Sequence, residues 1–399
     1  MSKTLEHPPN LNPARPGHWR SLIAGFGLII VAVQIIPKFL PAPFLYENRV
    51  LAGLPQLSKS GLSLTTYFDE LDKYLRDQFP ARSRLIASVN WVRFKLGYSH
   101  SDRVIVGKDG WLFHDDGLHL SFYRGRRLGE TELAAIAKGF GDRTRQIAAA
   151  GSHFYALFPP YKPGIYPEKL PSGFQPIPRI SELDQIKATL EAAGFDNMVD
   201  VRPTLLADKK TVPTFVPGDT HWRSIGAYKA YWVLMSRIAR DLPDLAPFGV
   251  DAFERTVRPL SSVPRNLEGM LGVWGAVAEF DREHWEPPPR PGRTVNYLSE
   301  RTGWDAPQVI TTGYNTRRTA LLVHDSFAIE LLPFFERHFE RIVVVHFQDD
   351  KKFMWFDPSL LDRFKPDVVI LEAQEQGARS VLAPLQESCQ AGAFCAGRN

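Results

Sequence analysis

Residues 319–347 read TALLVHDSFAIELLPFFERHFERIVVVHF, and this stretch decides the fold. Thr319 to His324 is a short apolar run with the length of a buried strand. Phe327 to His338 has helical spacing, and Arg341 to Phe347 (RIVVVHF) is a second buried strand. Strand, helix and strand in immediate succession form the unit from which parallel sheets are built.

Working outward, the same alternation recurs. His153 to Phe158 (HFYALF) and Pro366 to Leu371 (PDVVIL) read as buried strands, Ser181 to Ala193 and Arg223 to Ala239 as helices. A longer helix is expected from about Glu130 to Ala150, with Gly151 as its C-cap. Val104 to Phe113 reads as strand, glycine-bearing turn and strand. Asn48 to Tyr98 carries helical periodicity, for example at Tyr67, Leu71, Tyr74 and Leu75. The alternation predicts an α/β fold, a parallel sheet with helices on both faces. Roughly 245–310 is irregular around Pro287-Pro288-Pro289-Arg290-Pro291-Gly292 and reads as a functional loop or insertion. No internal repeat is visible.

The composition excludes several classes. In 399 residues, 44% hydrophobic and 23% charged, there is material for a large core, and collagenous or disordered chains are ruled out. Lys plus Arg number 48 against 44 Asp plus Glu, a net charge of +4 without any basic block, so no nucleic-acid partner is expected. The two cysteines, Cys389 and Cys395, can make neither a disulfide scaffold nor a four-cysteine zinc site. They close one small loop in an oxidising compartment or stay as two tail thiols.

Ser21 to Ile36 (SLIAGFGLIIVAVQII) carries no charge, and Phe39 to Leu45 adds a second apolar patch. Arg15, His18 and Arg20 precede it, as the positive-inside rule asks of the near side of a membrane. The expectation is a cytoplasmic leader at 1–20, an uncleaved transmembrane anchor at 21–40 and the remaining chain outside. A cleaved signal peptide is less well served by Pro41-Ala42-Pro43, and a buried core helix by a run behind a polar, Pro-rich leader.

Two constellations carry chemistry. In Gly218-Asp219-Thr220-His221-Trp222, an extended backbone puts Asp219 and His221 on one side, where the carboxylate can fix the imidazole tautomer. The alternatives are a helix cap with His221 at the surface, or a two-ligand metal site with no third ligand at suggestive spacing. In Leu322-Val323-His324-Asp325-Ser326-Phe327, a serine follows a buried strand and precedes a helix, at the reactive edge of an open α/β sheet. There the helix N-terminus offers amides to a developing oxyanion; the alternative is again a simple cap. Together the motifs supply a nucleophile, Ser326, a base, His221, and an orienter, Asp219.

These residues resemble the alginate O-acetyltransferase family, whose members carry an SGNH-hydrolase-like domain. The resemblance runs over about 47–380. It rests on Val106 to Phe113, on Pro159 to Pro167 with Lys162, on Asp219-Thr220-His221-Trp222 with Gly226-Ala227, on Asp325-Ser326-Phe327 and on Pro366 to Val369. It implies a circularly permuted SGNH-type sheet, since the serine comes last rather than first. It also implies a membrane-anchored enzyme, its catalytic domain in the periplasm on the outer face of the inner membrane. That enzyme takes acetyl onto Ser326, with His221 as base and Asp219 as orienter, and passes it to a hydroxyl of an exported polysaccharide. A multi-spanning membrane-bound O-acyltransferase is the implied acetyl-delivering partner; no cofactor and no metal is called for. His324 stands where glycine often precedes Asp-Ser, and Gly313-Tyr314-Asn315 where an extra donor is sought. Lys162, Tyr161, Trp222 and Asn315 are the candidate substrate-binding residues, Trp111 and Tyr166 further aromatics for stacking or core packing. The tail 381–399 carries no recognisable carbohydrate-binding module. A polysaccharide acetylesterase and a non-catalytic scaffold of an exopolysaccharide synthesis complex are the alternatives.

Overall fold

The computed structural model describes residues 17–35, 50–56, 63–79, 82–115, 126–174, 180–258, 265–273, 283–347 and 358–382. Most of the leader, the second apolar patch at 39–45, Cys389, Cys395 and nearly all of the tail lie outside the described residues. The chain divides into two compact units, 1–93 with 272–274, and 94–271 with 275–399.

In the first unit, the apolar run forms the helix Gly17–Ile35. Among the described residues no helix is long and apolar enough to cross a membrane. His18 and Arg20 occupy its first turn, so the apolar part spans roughly 22 Å against a hydrocarbon core of about 30 Å. The rest of the expected span, 36–40, lies outside the described residues. The expected helical periodicity after it belongs to Leu64–Asp77, capped by the Ser63 hydroxyl on the Thr66 amide, and to Arg82–Lys95.

The second unit is built on a mixed sheet, correcting the expected all-parallel one. Its strands are β3 (His153–Leu157), β4 (Met198–Val199), β7 (Thr294–Tyr297), β8 (Gln308–Thr311), β9 (Thr319–His324), β10 (Arg341–His346) and β11 (Val368–Glu372). Two ribbons stand apart, β1 (Val104–Val106) with β2 (Leu112–His114), and β5 (Glu254–Val257) with β6 (Glu283–Glu286). The sheet order is β4-β3-β11-β9-β10-β8-β7; the first five strands are parallel, β8 pairs antiparallel with β10 and β7 antiparallel with β8, so β8 alone runs against the other six.

The parallel strands β9 and β11 are buried along their whole length, as strands covered on both faces must be. Alternate side chains serve opposite faces. Leu322 and Ile370 join a core with the helices Ser224–Ile238 and Ala328–Phe335, while Leu321, Val323 and Val369 join another with Glu130–Ala149 and Glu182–Ala192.

The segment read as irregular holds β5, β6, β7, β8 and the helix Asn266–Leu271. Its strands escape pattern reading because they are short and polar: β7 (TVNY) is exposed throughout and β5 (ERTV) nearly so.

Candidate active site

Ser326 sits two residues beyond the end of β9, at the C-terminal edge of the parallel strands, and is partly exposed. Its neighbour Asp325 is tied down by accepting from the amides of Phe327 (2.8 Å) and Gln374 (2.7 Å). The amides of Ala328 and Ile329 turn back to the carbonyls of Asp325 and Ser326, both at 3.3 Å. The start of the next helix is thus engaged in its own turn, and the sequence expectation of amides there aimed at an oxyanion is corrected for these three.

His221 and Asp219 come from a tight loop. Phe215 and Trp222 pair as an antiparallel bridge, Val216 N–H donates to the His221 carbonyl (3.1 Å) and Arg223 N–H to the Thr214 carbonyl (2.9 Å). The return is close enough that a Cβ on Gly226 would lie 2.3 Å from the Thr214 carbonyl oxygen, so only glycine fits. The loop brings His221 Nε2 to 2.8 Å from Ser326 Oγ and His221 Nδ1 to 2.6 Å from Asp219 Oδ1.

Asp219 is fully buried, and both oxygens of its carboxylate are hydrogen-bonded. Oδ1 also accepts from the His221 amide (3.0 Å), Oδ2 from the Asn266 amide (2.6 Å). Burial alone would raise its pKa; the bond and charge of His221, with the two amides, hold it below the ordinary aspartate value. His221 is the converse: burial opposes its charged form, and Asp219 more than offsets that, raising its pKa. With Nδ1–H donated to the carboxylate, Nε2 keeps a lone pair for the serine hydroxyl.

The other candidates are placed differently. Lys162 is buried and donates to three carbonyls, Val216 (2.9 Å), Pro217 (3.0 Å) and Asp219 (2.7 Å), between the rings of Trp111 and Phe113. Burial pushes its pKa down to about 7, Asp219 pulling upward. Tyr161 is buried too; its hydroxyl donates to the His114 carbonyl and its amide to Glu375 Oε2 (2.9 Å). Trp222 is enclosed, its indole N–H on the Phe327 carbonyl (3.0 Å) and its ring edge-on to Phe327. All three build the walls behind the triad rather than a surface for substrate. Asn315 lies in the loop entering β9, at the strand's opposite end; β8 runs antiparallel and delivers its C-terminal loop to the far edge of the sheet.

Asn266 is a residue the sequence reading missed. Besides its amide on Asp219, its side chain brackets Thr220, accepting from the Thr220 amide (3.1 Å) and donating to Thr220 Oγ1 (2.8 Å). It lies in the segment read as irregular, and nothing in its surroundings marks it. Among the described residues no group of three His, Cys, Asp or Glu stands where it could hold a metal ion.

Residues 104–300 match the family described as "SGNH hydrolase-like domain, acetyltransferase AlgX". Over those residues, just under half of its length, the chain is similar to the SGNH-hydrolase-like domain of that acetyltransferase family. Asp219, His221 and Lys162 fall within the matched residues, Ser326 beyond them. A curated relative, the probable alginate O-acetylase AlgJ of Pseudomonas syringae pv. tomato, is 27% identical over 170 residues, 42% of this chain and 41% of that protein. The match thus spans about two fifths of the relative's length. Among solved structures, Bacillus cereus PatB1 is 13% identical with a TM-score of 0.50, covering 71% of this chain and 98% of that one. At that identity the likeness shows the fold. The O-acetyltransferase domain of Pseudomonas putida AlgJ is 16% identical, with a TM-score of 0.42 over 69% of this chain and 92% of that one.

Proposed function

We propose that this chain belongs to the alginate O-acetyltransferase family and transfers acetyl groups to hydroxyls of an exported polysaccharide through an acetyl-Ser326 intermediate. One observation carries the reading: the unbroken line from Asp219 through His221 to Ser326, 2.6 Å and then 2.8 Å, ending on a partly exposed serine.

Each step follows from that line. Ser326 Oγ attacks the carbonyl carbon of an acetyl ester or thioester donor while its proton passes to His221 Nε2. The tetrahedral intermediate collapses, the bond to the leaving group breaks, and the leaving group takes that proton. A sugar hydroxyl then attacks acetyl-Ser326, giving its proton to Nε2, and the serine leaves as the alcohol with the proton returned. Asp219 stays ionised throughout and stabilises the transient imidazolium.

In the same reading, residues 21–40 anchor the chain in the inner membrane with the catalytic unit in the periplasm. A multi-spanning membrane-bound O-acyltransferase brings the acetyl group across. The uncharged run from Ser21 to Ile36 behind Arg15, His18 and Arg20 supports this topology.

The test is acetyl-ester hydrolysis and acetyl transfer to oligosaccharides by the full chain, wild type against Ser326→Ala. Both rates should fall by about 1,000-fold or more in the variant, and an acetylated peptide containing Ser326 should be trapped from the wild type. Equal rates overturn the reading; acetate release without any sugar acetylation makes the protein an esterase.

A further inference from the structure

Close to the triad, a cavity of about 110 Å³ lies between the sheet and the helix that follows Ser326. Leu322 of β9, Val344 of β10 and Leu332 of the helix give it apolar walls. His324 and Ala328 also line it, and each is two residues from Ser326. A two-residue step spans at most about 7 Å between Cα atoms, so the backbone of the nucleophile is flanked on both sides by residues of this lining. Trp304 lines it as well and is 46% exposed, so the cavity meets solvent at this indole.

His324 is the unexplained member of this wall. Its side chain is buried, yet among the described residues Nε2 has no hydrogen-bond partner. The carbonyl of Asp325, 2.7 Å from Nδ1, can only accept, so Nδ1 carries the hydrogen and Nε2 is a bare acceptor. Burial pushes the ring's pKa down to about 4, which keeps it neutral near neutral pH. The rings of Trp304 (6.3 Å) and His346 (5.7 Å) pack against it edge to face. The lining thus holds a buried acceptor without a donor among the described residues, the Gln308 side chain and a half-exposed indole.

We propose that this cavity is a subsite for a pyranose ring of the acceptor, the ring stacked on Trp304 and one of its hydroxyls donating to His324 Nε2. An acetyl or alkyl chain would leave that acceptor unpaired, whereas a sugar brings both the missing donor and a face of C–H groups for the indole. The volume suits a hydroxyl-bearing arm inside and the ring at the mouth. Calling the ligand an acceptor rests on the acetyl-transfer reading; the saccharide site itself does not.

The experiment uses the full chain carrying Ser326→Ala, titrated by calorimetry with tetrasaccharides of mannuronate and of β-1,4-glucose. At least one should bind. Adding Trp304→Ala should weaken it about tenfold or more, while Trp304→Phe should keep most of the affinity. His324→Phe preserves the ring packing but removes the acceptor, and should weaken binding by about tenfold with Trp304 in place. Failure of both sugars to bind, or unchanged affinity in both Trp304→Ala and His324→Phe, overturns the subsite. Trp304-dependent binding in a protein whose wild type neither hydrolyses nor transfers acetyl would retire the enzymatic reading and keep the saccharide site.

Discussion

The ammonium of Lys162 lies 2.7 Å from the backbone carbonyl of Asp219, the residue whose carboxylate holds the His221 ring. The same ammonium gathers the carbonyls of Val216 and Pro217, so one buried cation fixes the loop that aims the imidazole. The hairpin β1–β2 pins this loop from outside, through Leu112 N–H on the Pro217 carbonyl at 2.9 Å.

Lys162→Met should therefore damage the site without touching it. The variant keeps the volume and the apolar contacts with Trp111 and Phe113 but strips donors from buried carbonyls, costing about 2–4 kcal/mol of stability. Urea unfolding measures that loss. Ester hydrolysis should fall at least about tenfold even where the variant is fully folded, because the Asp219–His221 register loosens. A folded Lys162→Met enzyme with wild-type kcat would show that the loop holds its shape unaided.

The triad should set the pH profile. His221 has a raised pKa, so the ascending limb of kcat/KM should have its inflection above the ordinary histidine value of about 6.5. Asp219→Asn removes the supporting charge and leaves burial to act alone; the inflection should move below that of the wild type while kcat drops by about 10⁴. Stability follows the same pair. The raised His221 contributes fully below its unfolded pKa and loses that contribution as pH rises through its folded one. The lowered Asp219 contributes above its unfolded pKa, about 3.9, and loses that as pH falls through its folded one. The stability gap between wild type and Asp219→Asn should thus be widest between about pH 4 and 6.5, measured by thermal melts across pH.

Much of this site was legible along the chain, and the reasons are local. Asp219 and His221 stand two apart on an extended backbone, and Ser326 stands between an apolar strand and a helix; both are short-range facts. The misread residues depend on long-range packing. Lys162 and Trp222 look like residues for substrate until the fold encloses them, because a lysine at a strand end reads alike whether solvent or three carbonyls receive it. Asn315 stands out in the sequence only as part of Gly313-Tyr314-Asn315, where an extra donor is sought; the antiparallel β8 delivers that loop to the opposite edge of the sheet. The strands from Glu254 to Thr311 gave no period-two pattern because two of them, β5 and β7, have almost no buried face.

Asn266 offers a test of how the carboxylate is held. It begins the helix Asn266–Leu271, and its amide donates to Asp219 Oδ2. Proline is tolerated at a first helical position and lacks the N–H, so Asn266→Pro deletes that donor, while Asn266→Ala deletes only the side-chain bonds to Thr220. Asn266→Ala should cost about 1 kcal/mol and a few-fold in kcat. Asn266→Pro should cost about 1–2 kcal/mol more, and the acid limb of the stability profile should move to higher pH as Asp219 loses a bond that favours its charged form. Identical acid limbs for the two variants would show that this amide does not tune Asp219.

Gly226 sits on the helix that begins just after the catalytic loop, and its hydrogen faces the Thr214 carbonyl, where a Cβ would stand at 2.3 Å and the Trp222 Cβ at 3.2 Å from it. The Thr214 carbonyl is the acceptor for Arg223 N–H, so it cannot retreat without opening the Phe215–Trp222 bridge that closes the loop. Gly226→Ala gains helix propensity of about 1 kcal/mol, yet overpacking of this kind costs about 1–3 kcal/mol or more, so the net change should be destabilising. The displacement runs through Trp222 to Phe327 and hence to both ends of the His221–Ser326 bond. Ester hydrolysis should fall by a larger factor than the folded fraction does, read from kcat per folded molecule at low temperature. A variant with lowered melting temperature but unchanged kcat would mean that the loop and the helix can separate without moving the imidazole.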